Sequence, residues 1–279
     1  MHRIKALFVS FYMMALMAGL IVAATRLWTT PQAWAWWGVV LASGVPIAFF
    51  MHLFMSSTAR TSTNLNGIPI AGGVGTAVAL ADAGPGLAAG IALFNGVLLS
   101  LLYIHWYSRF SARPRDLLGV GKLLPDLGLV DIDGRELRTR ELTQKPALWL
   151  FYRGNWCPLC MAQIKEVAAE YRRLADRGVE VFLISPQPQD HTRSLAQRFE
   201  APMRFLTDRD NRVAAQLGIL AEGGLPMGMQ ALGYDSDVPM PTVFITAAGG
   251  RIVYSDLTDN YRIRPEPADF IAALNRAGL

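Results

Sequence analysis

Three apolar stretches in the first 107 residues, Ala6–Ala24, Trp34–Met55 and Gly86–Tyr107, set the strongest limit on what this chain can fold into. Each approaches or exceeds the roughly twenty residues a helix needs to cross a bilayer core. Backbone entering hydrocarbon must satisfy its own polar groups, so these stretches are expected as membrane-spanning helices. A fourth stretch, Ile68–Ala81, is shorter and rich in Gly and Ala, and Asp82-Ala-Gly-Pro-Gly86 after it reads as a turn. The first stretch has the basic start of a signal peptide, but its apolar run is long for one and further spans follow, so it reads as an uncleaved span.

Charge divides the chain in the same way. Residues 1–122 carry eight of the 26 Lys and Arg residues but only Asp82 and Asp116 of the 22 acidic ones, so the net charge of +4 belongs to the first half. A nucleic-acid-binding protein gathers positive charge on its water-facing domain; here that domain is near neutral, and no nucleic-acid partner is expected. Charge asymmetry also bears on the number of spans. With four, Arg3, Lys5, Arg60, Arg109, Arg113, Arg115 and Lys122 share one side and Arg26 faces the other. With three, the larger part of the positive charge falls outside. The reading is therefore an integral protein of a bacterial inner membrane, with four spans and everything after Tyr107 in the cytoplasm. Three spans would make that part periplasmic.

The organisation expected is a transmembrane domain at 1–107, a basic juxtamembrane linker at 108–124 and a folded domain at 125–279. Leu127–Val130 and Leu137–Thr139 flank an Asp-Gly turn. Ala147–Tyr152 is a continuous apolar run, as for a strand buried on both faces. A helical pattern follows over 158–176, a strand over 179–184, a short helix over 192–199, a strand over 203–206 and a helix over 211–217. A hairpin of 240–245 with 251–255 and a helix at 267–277 close the domain. Strands alternating with helices describe an α/β domain of about 155 residues. The stretch from Leu220 to Val238 is long for a connector and reads as a functional loop.

Cys157 and Cys160 are the only cysteines, and they stand between the buried-strand pattern and the helical one. Unpaired N–H groups and the positive dipole end of a helix start stabilise a thiolate, so Cys157 is expected to be the nucleophile. Cys160, one turn on, is placed to close a disulfide with it. Two cysteines supply half of a structural zinc site, and His2, His52, His105 and His191 are too scattered to complete it. A purely structural bridge is disfavoured because a loop this short removes little chain entropy. His52 and His105 read as polar ends of their spans, and no metal or cofactor is expected.

Phe151-Tyr-Arg-Gly-Asn-Trp-Cys-Pro-Leu-Cys160, Ile184-Ser-Pro-Gln187, Phe205-Leu-Thr-Asp208 and Met240-Pro-Thr-Val-Phe-Ile245, in that order, resemble the peroxiredoxin-like AhpC/TSA branch of the thioredoxin superfamily. The resemblance covers about residues 123–279. It implies a thioredoxin-like fold, a central mixed sheet flanked by helices, with Pro241 as a cis proline opposite the Cys157 turn. Trp156 and Arg153 are then supporting residues, Trp156 shielding the sulfur and Arg153 lowering its pKa. The chain departs from the family where typical peroxiredoxins carry a proline and a hydroxyl residue ahead of the reactive cysteine; here Leu150 and Gly154 stand there.

The expected activity is dithiol–disulfide exchange, with Cys157 attacking a protein disulfide and Cys160 resolving the intermediate. A thioredoxin-like or glutathione-type dithiol donor would return the pair to the reduced state. Peroxide reduction through a sulfenic acid on Cys157 is the alternative enzyme reading. A membrane redox sensor or assembly subunit is the non-catalytic one. The lipid bilayer is a partner in all three.

Overall fold

The computed structural model describes residues 2–110, 113, 116–234 and 237–279. Pro114 and Arg115 of the linker, and residues 235–236 of the 220–238 stretch, lie outside them. The chain divides into two compact units, the first made of Arg3–Ser56 and Thr61–Arg109, the second of Ser57–Arg60 and Phe110–Leu279.

The first unit contains α1 (His2–Thr29), α2 (Trp34–Met55), α3 (Gly67–Ala83) and α4 (Leu87–Tyr107). Ile4–Thr29, Trp34–Met55 and Leu87–Tyr107 are long and apolar enough to cross a membrane. At 17 residues α3 spans about 25 Å, close to the lower limit for a crossing. Its close packing has a backbone cause. A Cβ on Gly38 of α2 would lie 2.3 Å from the Gly75 carbonyl oxygen of α3, and one on Gly72 of α3 would lie 2.2 Å from that of Gly96 in α4. Glycine at these crossings lets helices touch through their backbones, as small residues do where no hydrophobic drive separates helix from lipid. Polar groups turn inward: Asn95 donates to the Ala15 carbonyl at 2.9 Å and the Ser43 hydroxyl at 3.1 Å, and the Tyr12 and Ser100 hydroxyls meet at 2.7 Å. Phe11, Met14, Ile21 and Leu98 remain exposed, so the bundle is apolar outside, with a few hydrogen-bonded polar groups inside an otherwise apolar core.

The second unit is built on a seven-stranded sheet in the order β2-β1-β5-β4-β3-β8-β9. The strands are β1 (Gly128–Val130), β2 (Glu136–Arg138), β3 (Ala147–Phe151), β4 (Glu180–Ser185), β5 (Arg204–Thr207), β8 (Thr242–Thr246) and β9 (Ile252–Asp256). A separate two-stranded pair joins β6 (Leu220–Ala221) to β7 (Val238–Pro239). The central strands β3, β4 and β5 run parallel, and β8 pairs antiparallel to β3 with Phe151 opposite Thr242. Every residue of β3 is buried, which is why it reads as an unbroken apolar run. Trp149 meets Phe182 in a tilted contact and stacks on Phe244, with centroids 4.6 and 5.8 Å away, and its Nε1–H reaches the Thr246 hydroxyl at 3.0 Å. The sheet is therefore mixed and flanked by helices, as the resemblance implied.

The helices are α5 (Thr139–Leu142), α6 (Pro158–Ala169), α7 (Tyr171–Ala175), α8 (Gln189–Ala196), α9 (Arg212–Gln216) and α10 (Pro267–Ala277). The single helix expected over 158–176 breaks at Glu170, whose ψ of 2° leaves the helical range. Asp208 of the Phe-Leu-Thr-Asp motif proves to be a helix cap, accepting the Val213 and Ala214 N–H groups at 2.9 and 2.8 Å. The 220–238 stretch is shorter as a loop than expected, because β6 and β7 zip its two ends together.

Replacing Gly72 by Leu forces a side chain into the Gly96 backbone and is expected to destabilise the bundle by about 1–3 kcal/mol or more. Thermal unfolding of the full chain in detergent checks this; an unchanged transition temperature contradicts the backbone contact.

Candidate active site

The site lies at the C-terminal end of β3, where the parallel core of the sheet gives way to loop 152–157. Cys157 is the N-cap of α6, with extended dihedrals (φ −89°, ψ 112°), and Pro158 takes the first helical position, where a missing N–H costs nothing. The Cys157 carbonyl accepts from the Cys160 and Met161 N–H groups at 3.1 and 3.0 Å. Both thiols are free. Cys157 is 3% exposed and Cys160 0%, so an incoming group meets Cys157 first.

Residues distant in sequence fix the loop. The Gln187 side-chain oxygen accepts the Asn155 N–H at 2.8 Å, and its NH₂ donates to the Tyr152 hydroxyl at 3.1 Å. The Tyr234 hydroxyl donates to the Asn155 side-chain oxygen. Gln187 thus explains the Ile-Ser-Pro-Gln motif: it holds the loop that presents the cysteines.

Arg153 is buried, not a surface residue. Its guanidinium lies over the Trp156 ring at 4.8 Å and the Tyr261 ring at 5.6 Å, and it donates to the Gly224 carbonyl. Trp156 packs beside Leu225 and Met240 and fills the space over Gly154. A Cβ on Gly154 would sit 2.6 Å from Trp156 Nε1, and its φ of +146° further disfavours any side chain. The position where peroxiredoxins place a hydroxyl is occupied here by the indole of Trp156.

Two expectations require correction. Every peptide bond among the described residues is trans, the Met240–Pro241 bond included. The Met240 N–H bonds Ile219 at 2.7 Å, and the Pro241 carbonyl accepts from Arg113 at 3.2 Å, so these polar groups are satisfied as they stand. Pro241 stands at the site end of the sheet, next to the Phe151–Thr242 pair.

The second correction concerns the thiolate. The Cys157 thiol donates to Cys160; that bond, burial and the Cys160 charge push its pKa well up, against the attraction of Arg264 and Arg153. Burial opposes ionisation of Cys160 too. The bond from Cys157, the Arg264 charge, and the Arg153 N–H and charge together outweigh it and hold the Cys160 pKa below the usual thiol range. The two thiols titrate as a coupled pair, with Cys157 pushed up and Cys160 pushed down. The helix start alone does not decide this, because both sulfurs belong to the same first turn while the guanidinium contacts one of them.

That guanidinium is Arg264, whose Nη2 lies 3.5 Å from Cys160 Sγ and whose Nη1 donates to the Gln163 side-chain oxygen at 2.8 Å. No sequence pattern marks Arg264, which stands far along the chain among several arginines. Gln163 was legible only as a neighbour of Cys160 at helical spacing.

The AhpC/TSA family profile matches residues 120–255. Thiol-disulfide oxidoreductase ResA of Geobacillus thermodenitrificans is 24% identical over 157 residues, covering 56% of this chain and 79% of that protein. The chloroplastic peroxiredoxin Q of Gentiana triflora is 28% identical over 108 residues, 38% of this chain and 50% of that protein. A crystal structure of peroxiredoxin 6 from Arenicola marina superposes with a TM-score of 0.50 at 13% identity, over 57% of this chain and 73% of that one, a likeness of fold. A thioredoxin-like redoxin domain with oxidoreductase chemistry follows an apolar helical one.

Above the lowered Cys160 pKa the reduced pair holds one proton, so reducing the disulfide with two glutathione molecules releases one proton to solvent. The equilibrium is then expected to move toward the reduced protein by about tenfold per pH unit, up to the ordinary thiol pKa near about 8.5. Below the lowered pKa it is flat. Equilibration in glutathione buffers of stepped pH checks this; pH independence across the neutral range contradicts the shared proton.

Proposed function

Because residues 120–255 match the AhpC/TSA family profile, we propose that this chain is a membrane-anchored thiol–disulfide oxidoreductase with Cys157 as nucleophile and Cys160 as resolving thiol. The observation that carries the reading is a buried dithiol facing two arginines, with Gly154 at the position where peroxiredoxins carry a hydroxyl residue. Cys157 sulfur bonds one sulfur of a substrate disulfide, and the other leaves as a thiolate. Cys160 sulfur then bonds Cys157, the mixed disulfide breaks, and the substrate departs with both electrons. A thioredoxin-like or glutathione-type dithiol donor runs these steps backward to restore the pair.

Peroxide reduction is the second reading, favoured by the similarity to peroxiredoxin Q. A peroxide needs donors at the oxygen where charge develops. Arg153 spends its guanidinium on Gly224 and two aromatic rings, and Gly154 contributes no side chain. Exchange therefore has the better support.

The membrane assignment rests on the apolar exterior of the helical bundle. The sidedness reading rests on the charge pattern; Ser57–Arg60, between α2 and α3, belongs to the second unit. Ala59 N–H donates to the Glu166 carboxylate at 3.1 Å, and the Arg60 guanidinium pairs with Glu166 and, at 3.5 Å, with Glu266. A common side for Ser57–Arg60 and Phe110–Leu279 requires α3 and α4 to cross once each. With the positive residues gathered on that side, the redox domain is cytoplasmic.

Purified full-length protein is expected to reduce a model disulfide rapidly and hydrogen peroxide slowly. Cys160→Ser should accumulate a mixed disulfide on Cys157, visible by mass spectrometry, and Cys157→Ser should abolish turnover. Fast peroxide consumption beside sluggish exchange reverses the ordering. For sidedness, a C-terminal alkaline phosphatase fusion is expected to be inactive and a fluorescent-protein fusion bright; the opposite pair places the domain outside.

A further inference from the structure

Arg264 is 4% exposed, and no carboxylate among the described residues forms an ion pair with it. A guanidinium removed from water needs a compensating negative charge or a full set of acceptors. Its Nε donates to the Tyr261 carbonyl at 3.1 Å, Nη1 to Gln163 at 2.8 Å and Nη2 to Cys160 Sγ at 3.5 Å. The first two acceptors are neutral, and only the sulfur can become an anion. Asp256 of β9 and Arg113 also face Arg264 by charge, with opposite signs. Around the sulfur stand Arg153, Cys157 and the Tyr152 phenol, which burial keeps protonated.

We propose that Arg264 is the counter-ion of a Cys160 thiolate, and that this thiolate takes the proton of Cys157 as Cys157 attacks the substrate. The proposal deepens the exchange reading and rests on it for the second half. In the reduced state the pair is Cys157 S–H against Cys160 S⁻. When Cys157 sulfur bonds a substrate sulfur, its proton passes to Cys160, the substrate S–S bond breaks, and the departing thiolate carries the electron pair away. Cys160 S–H next gives its proton to solvent water, a loss Arg264 favours. The new anion bonds Cys157 sulfur and expels the second substrate thiolate. Over both steps the substrate gains two electrons and the dithiol becomes a disulfide. Arg264 touches no substrate atom; it is a positioning residue, and Cys160 is the acid–base group as well as the resolving one.

The test uses the full chain in detergent with Cys157→Ser, so that Cys160 titrates alone and is followed by ultraviolet thiolate absorbance. Arg264→Gln is expected to raise that titration by about 1–3 pH units, the range an opposite charge at contact supplies, and Arg264→Lys to recover part of it. Should Arg264→Gln fail to fold, Gln163→Glu leaves the guanidinium in place and gives it a competing carboxylate; the same upward movement is expected. In the chain with both cysteines, Arg264→Gln should shift the glutathione equilibrium toward the disulfide by about tenfold for each unit of pKa gained, about 30 mV. It should also prolong the mixed disulfide. A Cys160 titration unmoved in folded Arg264→Gln and Gln163→Glu overturns the assignment of Arg264 while leaving exchange untouched. A native chain that exchanges with no disulfide, beside a titration that moves as stated, overturns the exchange reading and upholds the counter-ion.

Discussion

Both sulfurs of this domain are withdrawn from water, and a thiolate in such a place exists only with positive charge at contact distance. The rest of the site follows from that demand. The charge comes from Arg153, next to the cysteine loop, and from Arg264, held between a backbone carbonyl and Gln163. Arg264 lies in the segment between β9 and α10, so the pairing of β8 with β9 and the packing of α10 bear directly on the chemistry at Cys160. A fold of this kind is not a neutral platform for a C-x-x-C turn. Both guanidinium charges act on both sulfurs, and the contact from Arg264 is made to Cys160.

The helical unit answers a different constraint by related means. Its helices meet where glycines face glycines, Gly38 against Gly75 and Gly72 against Gly96, so backbones approach to distances that no other residue allows. Asn95 and Ser43, buried among apolar side chains, bond across the bundle instead of facing outward. Close contact and internal hydrogen bonds are what remain to hold helices together once their surroundings are as apolar as their side chains. The shortness of α3 is consistent with this: a helix carrying Gly72 and Gly75 has packing partners on both sides and little need for further length.

Much of this was legible in the sequence, for physical reasons that differ by element. Spans announce themselves by length and apolarity, and β3 by a run of buried residues on both faces. The helix from Pro267 to Ala277 matched its expected bounds because a proline at its start and a glycine after its end mark both termini. The break at Glu170 left no such mark, since the apolar spacing continues across it. Pro241 was misjudged as cis because the expectation came from family likeness, whereas the geometry of a proline bond is decided by the local path of the chain. The zipped ends of the 220–238 stretch were hidden because a two-residue strand pair has too little pattern to read.

The cysteine pair shows where sequence reading stops. Its spacing and its place after a buried strand point to a redox dithiol, since these are local facts. Which sulfur holds the negative charge is not local. Helix-dipole reasoning names Cys157, the residue at the very start of α6, and would be sufficient if the solvent lay nearby and no other charge did. Here one guanidinium lies 3.5 Å from Cys160, and the dipole end is worth only about 0.3–1 kcal/mol at an exposed terminus. Contact with a full charge in a water-poor site exceeds a partial charge shared by both sulfurs of the same turn. The motif therefore points to two sulfurs, and tertiary structure differentiates them; Gly154 makes a similar point, because the Trp156 ring leaves no room for a side chain there.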